Sequence, residues 1–234
     1  MCIARTSSED LIGVGLYTPA EAGWLVQVKP GKISRWLRGH EAHGKFYEAL
    51  WHPQVDLGED GLFLGFRDLM EIRVANAFIK QGLSPQRVRR AIEVAQEIVG
   101  DERPLSTTRF RTDGRTIFLQ IAQENDEIHL IDILQKQYVF KGIIEKSLIN
   151  TEFDITGAPS RWWPLGRSHS VVIDPERSFG RPIEAETSVP VEVLAAAAEA
   201  EGSPEAAARA WDVPVRAVSR AIAFQAAMNA RQAA

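Results

Sequence analysis

The chain has 234 residues, enough to bury one large core or two small ones. Its 27 Lys and Arg against 31 Asp and Glu leave a formal charge of −4, so any affinity for nucleic acid must come from a local patch. A single cysteine, Cys2, excludes a disulfide framework and a thiolate metal site. The longest apolar run, Val189 to Ala200, carries Glu192 and Glu199 and spans no membrane. Nothing at the start reads as a secretory signal, which points to the cytoplasm.

Residues 1–16 read as a polar, then Gly-rich, lead-in. Thr18-Pro19-Ala20-Glu21 is a capping box with proline at the first helical position. Ala22, Leu25 and Val26 give the helix it opens an apolar stripe. Val28-Lys29-Pro30-Gly31 breaks it. A second short helix follows, with Ile33, Trp36 and Leu37 on one face and Lys32, Arg35 and Arg38 on the other. Two short helices around a tight turn describe a helix-turn-helix. A duplex offers closely spaced phosphates and a groove that admits one helix, so a reading helix needs cations outside. Lys29, Lys32, Arg35, Arg38 and Lys45 supply them, with Glu41 alone opposing. The competing reading is an amphipathic helix pair whose charges only meet water.

Phe46 to Trp51 reads as a short strand or turn where a wing would sit, and Asp56 to Gly61 as a loop. Phe66, Leu69, Met70, Arg73, Ala77 and Phe78 fall at helical spacing, with a stop at Gln81-Gly82. Ser84-Pro85 caps another helix through Val99. Its outward Arg87, Arg89 and Arg90 read as a solvated face rather than a second binding surface. From Thr107 the pattern changes to period two. Thr108, Phe110, the turn Thr112-Asp113-Gly114-Arg115, then Ile117, Leu119 and Ile121 predict a β-hairpin. Ile128 to Leu134 predicts a strand or short helix, Tyr138 to Leu148 a helix, and Glu152 to Ile155 a returning strand.

The order of a Tyr-Thr helix-turn-helix, a short wing and a helix pair joined by Gly82-Leu83-Ser84-Pro85-Gln86-Arg87-Val88 resembles the DNA-binding half of MerR-type regulators, over about residues 17–99. The resemblance implies that Lys32, Ser34, Arg35 and Arg38 face the major groove and that Arg67 holds a phosphate. The cysteines of the metal-sensing members are missing and no long coiled-coil helix follows, so metal sensing is not expected.

Arg161-Trp162-Trp163-Pro164 marks a boundary, and the two tryptophans read more readily as pins for a linker than as a recognition anchor. Beyond it come a strand at Ser170 to Asp174, a Gly/Pro loop at Arg177 to Pro182, and an alanine-rich helix opened by Val189-Pro190. Ser203-Pro204-Glu205 caps the next helix. A turn at Asp212-Val213-Pro214 leads to a last helix through Val215, Val218, Ile222 and Phe224. This second helix-turn-helix shape has few cations outside, Arg216 and Arg220, and such a module suits a protein partner better than DNA.

The sequence from Asp174-Pro175 through Gly180-Arg181-Pro182 to that last helix resembles a small domain of VapB-type antitoxins over about fifty residues. The two resemblances together imply a mostly α fold with a small β component, divided as residues 1–160 and 161–234. They also imply an antitoxin with two partners: operator DNA, bound as a homodimer, and a toxin of PIN or PIN-like nuclease fold. Arg216, Arg220 and Arg231 would be offered to the nuclease's carboxylates. The alternative is a one-component MerR-like regulator that senses a small molecule, with the Trp162/Trp163 segment and the hairpin lining its pocket. Catalysis is not expected, nor a metal or cofactor. His40, His43, His52, His129 and His169 fall in no metal-ligand spacing, and no phosphate-cradling glycine loop or nucleophile–base pair is present.

Overall fold

The computed structural model describes residues 11–58, 61–124 and 137–233. Its architecture is mostly α with a small β part. The expectations for Cys2 and for Ile128 to Leu134 lie outside the described residues. No helix among the described residues is long and apolar enough to cross a membrane.

Helix α1 (Pro19–Val26) starts as its capping box dictates: Glu21 N–H donates to the Thr18 hydroxyl and the Glu21 carboxylate accepts from Thr18 N–H. It stops at Gln27, in the left-handed region at φ 57°. Gly23 makes the following turn possible, since a Cβ there would stand 2.5 Å from the Val28 carbonyl oxygen. Helix α2 (Pro30–Arg38) buries Ile33, Trp36 and Leu37. A hairpin of β1 (His40–Ala42) and β2 (Lys45–Tyr47) follows at once, through a two-residue turn in which His43 and Gly44 both have positive φ. The hairpin thus starts earlier than the strand or turn expected at Phe46 to Trp51.

Helices α3 (Phe66–Lys80) and α4 (Pro85–Val99) form the centre of the main core, with Phe66, Leu69, Met70, Phe78 and Ile92 fully enclosed. Their ends are fixed by buried charge. Asp68 accepts from Trp51 Nε1 (3.1 Å), Gln54 N (2.7 Å), Gly65 N (3.0 Å) and Arg103 Nε (2.7 Å), which satisfies a carboxylate that has no contact with water. Glu71, also without exposure, accepts from Leu105 N (2.9 Å) and Ser106 N (3.0 Å).

The hairpin expected from Thr108 to Ile121 is instead helix α5 (Thr108–Glu124). Thr107 decides its start by accepting from Phe110 N–H at 3.1 Å. Phe110, Gly114 and Ile117 then lie on one buried face at helical spacing. Gly114 is no turn residue: its φ is not positive, and its missing side chain makes room for the Phe110 ring, whose Cζ would lie 2.9 Å from a Cβ there. Helix α6 (Gln137–Ser147) matches the helix expected at Tyr138 to Leu148 and packs on α3 and α5.

Strands β3 (Thr151–Phe153), β4 (Pro159–Trp162), β5 (Val171–Ile173) and β6 (Pro182–Glu184) make an antiparallel meander in chain order. The small sheet is therefore built from residues after 150, and the expected break at 160/161 falls inside β4. Trp162 and Ile173 belong to the main core, whereas Val171 belongs to a second one. That second core is closed by α7 (Val191–Ala200), α8 (Pro204–Ala210) and α9 (Val215–Ala233), around Leu194, Val218, Phe224 and Met228. Ser203 caps α8 through Ala206 N–H, as expected.

The two cores meet at α1. Trp24 Nε1 donates to Asn229 Oδ1 (2.9 Å) and its ring stands edge-on to Phe224 at 6.0 Å. The Tyr17 hydroxyl donates to Gly180 O (2.8 Å), and Leu16 N–H to Phe179 O (3.0 Å). Burial and the nearby carboxylates of Glu21 and Asp174 raise the Tyr17 pKa, so the phenol keeps its proton and its hydrogen bond.

Candidate nucleic-acid interface

The outer face of α2 carries the exposed cations Lys29, Arg35 and Arg38, with Lys32 and Ser34 half-buried. The helix packs on the core through Ile33, Trp36 and Leu37, which leaves Lys29, Arg35 and Arg38 exposed. Ser34 Oγ donates to Pro30 O (3.1 Å) and Arg35 Nε to Gly31 O (3.3 Å), both one turn back on α2. Arg38 points outward from the last turn. Lys32 bridges to α3: its ammonium donates to Asn76 Oδ1 (3.2 Å) and lies 4.7 Å from the Trp36 ring centre. Burial first, then the charges of Lys80 and Arg35, pull the Lys32 pKa below its ordinary value. Cations outnumber acids on this face, where Glu48 lines the same groove as Lys32 and Arg35, and an excess of positive charge is the electrostatic condition for attracting a polyanion.

The hairpin extends this surface. Lys45 lies 5.6 Å from the Tyr47 ring, His40 stacks on Tyr47 at 5.1 Å, and Phe46 is 62% exposed. Arg89 departs from the solvated face expected of it. It is half-buried and donates to Ala49 O (2.9 Å) and to Glu48 O, which fastens α4 to the segment leaving β2. Arg90 does face solvent, paired with Glu93.

The remaining expected site residues lie elsewhere. Arg67, in the first turn of α3, is not gathered with the α2 cations; its guanidinium pairs with Asp101 at 2.6 Å and donates to Arg103 O. Arg216 pairs with Glu186. Arg220 donates to the buried Glu184 (2.8 Å) and to Glu186 (3.3 Å). These two arginines form one cluster on α9, and the hydrogen bonds from them hold the Glu186 pKa below its usual range. Arg231, in the last turn of the same helix, reaches back to Pro164 O (3.4 Å). Glu184 and Glu186 carry no local sign that they face residues thirty or more positions away, so sequence reasoning does not find them. Among the described residues, no three His, Cys, Asp or Glu side chains gather where they could hold a metal ion.

No protein-family profile matches the chain. It is similar in sequence to a protein of the antitoxin class. That relative is "Putative antitoxin VapB45" of Mycobacterium tuberculosis, 29% identical over 188 residues, which cover 73% of this chain and 77% of the relative. The fold is also that of a crystal structure, Rv2018 from Mycobacterium tuberculosis, with a TM-score of 0.64 at 24% identity over 90% of this chain and 98% of that one.

Proposed function

We propose that the protein is the antitoxin of a type II toxin–antitoxin system. In this reading it neutralises a PIN or PIN-like nuclease by direct binding and represses its own operon by binding operator DNA. The observation that carries the DNA half is the exposed cationic face of α2, anchored by Ile33, Trp36 and Leu37 and flanked by the hairpin that carries Lys45. The likeness to a named antitoxin supports the toxin half. Lys29, Lys32, Ser34, Arg35 and Arg38 read the duplex, and Arg67 positions the start of α3 or holds a flanking phosphate. A homodimer places two α2 helices on a palindrome, since dimer symmetry and half-site spacing go together. Arg216, Arg220 and Arg231 on α9 are the groups offered to the nuclease.

A mobility shift on the protein's own upstream DNA tests the first half. Arg35→Ala combined with Arg38→Ala should weaken binding by about ten-fold or more and flatten the dependence on salt by about two counterions. Wild-type affinity in that double variant would remove α2 as the reader. For the second half, Arg231→Glu should weaken inhibition of the co-encoded nuclease while leaving the mobility shift intact.

A further inference from the structure

A second basic feature lies behind α2, where α3 and α6 diverge. Their facing sides leave a cleft of about 500 Å³ lined by Arg73, Asn76, Lys80 and Gln81 from the first helix and its end, and by Gly142 and Lys146 from the second. Among the described residues, three cations line it and no acid does. Arg73 is the unusual member. Its guanidinium lies 4.1 Å over the Trp162 ring and donates to Thr151 Oγ1 (3.1 Å) and Ile149 O (3.4 Å). No carboxylate among the described residues pairs with it, and burial lowers its pKa. A desolvated guanidinium is ordinarily matched by an anion. Arg103, which is buried, has such a partner in Asp68.

We propose that the cleft between α3 and α6 is a phosphate-binding site, with Arg73 at its floor and Lys80 and Lys146 at its mouth. A phosphate group brings up to two charges and several acceptor oxygens, which suits one planar fork and two mobile ammonium groups better than a single carboxylate would. Asn76 and Gln81 add amide donors beside them. Asn76 also receives the Lys32 ammonium, so a phosphate held here sits one hydrogen bond from the reading helix. The phosphate can be a free ester or a link of a DNA backbone.

The test uses the full chain and titration calorimetry with sodium phosphate against sodium chloride at equal ionic strength. Gly142 provides the sharpest variants. Nothing lies within 4 Å of a Cβ there, so Gly142→Ala leaves the cleft open, whereas Gly142→Glu puts a carboxylate into it. Phosphate binding should survive Gly142→Ala and weaken about ten-fold in Gly142→Glu and in the double variant Lys80→Gln, Lys146→Gln. A parallel salt series on duplex DNA separates the sources. A double variant whose salt slope falls by about two assigns the site to backbone phosphate. An unchanged slope with lost phosphate binding assigns it to a free ester. Absence of phosphate binding by the wild type together with an unchanged salt slope would overturn the proposal, and so would equal losses in Gly142→Ala and Gly142→Glu. The calorimetric arm involves no DNA, so its outcome is independent of whether α2 reads an operator.

Discussion

Glu71 shows how much a single buried carboxyl can impose on the chain. It receives two backbone N–H groups where the chain turns from α4 towards α5, and it has no contact with water. Burial outweighs those hydrogen bonds and the charge of Arg67, and the pKa is pushed up to about 7 from 4.5. Between those two values the folded protein holds a proton that the unfolded chain releases. Stability therefore falls as pH rises through that interval and is level below and above it. The whole effect amounts to roughly 3 kcal/mol. Urea midpoints measured from pH 4 to pH 8 should fall with pH more steeply in the wild type than in Glu71→Gln, whose amide does not titrate. Parallel curves would show that folding leaves the pKa of this carboxyl unchanged. The same scale explains why the site was only partly legible beforehand. The cations of α2 declare themselves through spacing alone, because Ile33, Trp36 and Leu37 dictate which side faces out. Arg67 and Arg220 meet carboxylates 34 and 36 positions away, and no local pattern carries that information.

Among elements, the junction of α2 with the hairpin is the most constrained. Gly39 has φ 72°, and a Cβ there would stand 2.5 Å from the Tyr47 carbonyl oxygen and 3.0 Å from the Phe46 ring. Gly39→Ala should cost about 1–3 kcal/mol and splay the hairpin from α2. Chemical denaturation would give the cost, and a drop in duplex affinity larger than the stability loss explains would show that the hairpin contributes to binding. Helix starts were readable wherever Thr or Ser precedes Pro, at Thr18, Ser84 and Ser203, because the cap is a local hydrogen bond. Helix α5 was not. Asp113-Gly114 has the chemistry of a tight turn, and beyond it Ile117, Leu119 and Ile121 fall at the two-residue spacing of a strand. Only the packing of Phe110 against Phe78 of α3, which sequence spacing does not display, settles the period.

At the scale of the whole molecule, α2 and the C-terminal core share a neighbour, α1. Trp24 spans them by its bond to Asn229 and its contact with Phe224. Trp24→Ala should lower stability by about 1–3 kcal/mol, since the residue is half-buried and the lost contacts lie at a seam. Hydrogen exchange separates two outcomes. Faster exchange in both α1 and α9 means that the cores open together, whereas a change confined to α9 means that the N-terminal core stands without its companion. The remaining ties at the seam, Tyr17 to Gly180 and Leu16 to Phe179, favour the first outcome.

That seam bears on how such a protein can change over generations. A chain whose two ends were joined only by a linker could trade its C-terminal part for another and keep its front half untouched. Here a transplanted α9 would arrive without the residue that answers Trp24, and α1 would have to change in step. The two ends are thus tied in sequence as well as in space, and a change on either side of the seam is felt on the other.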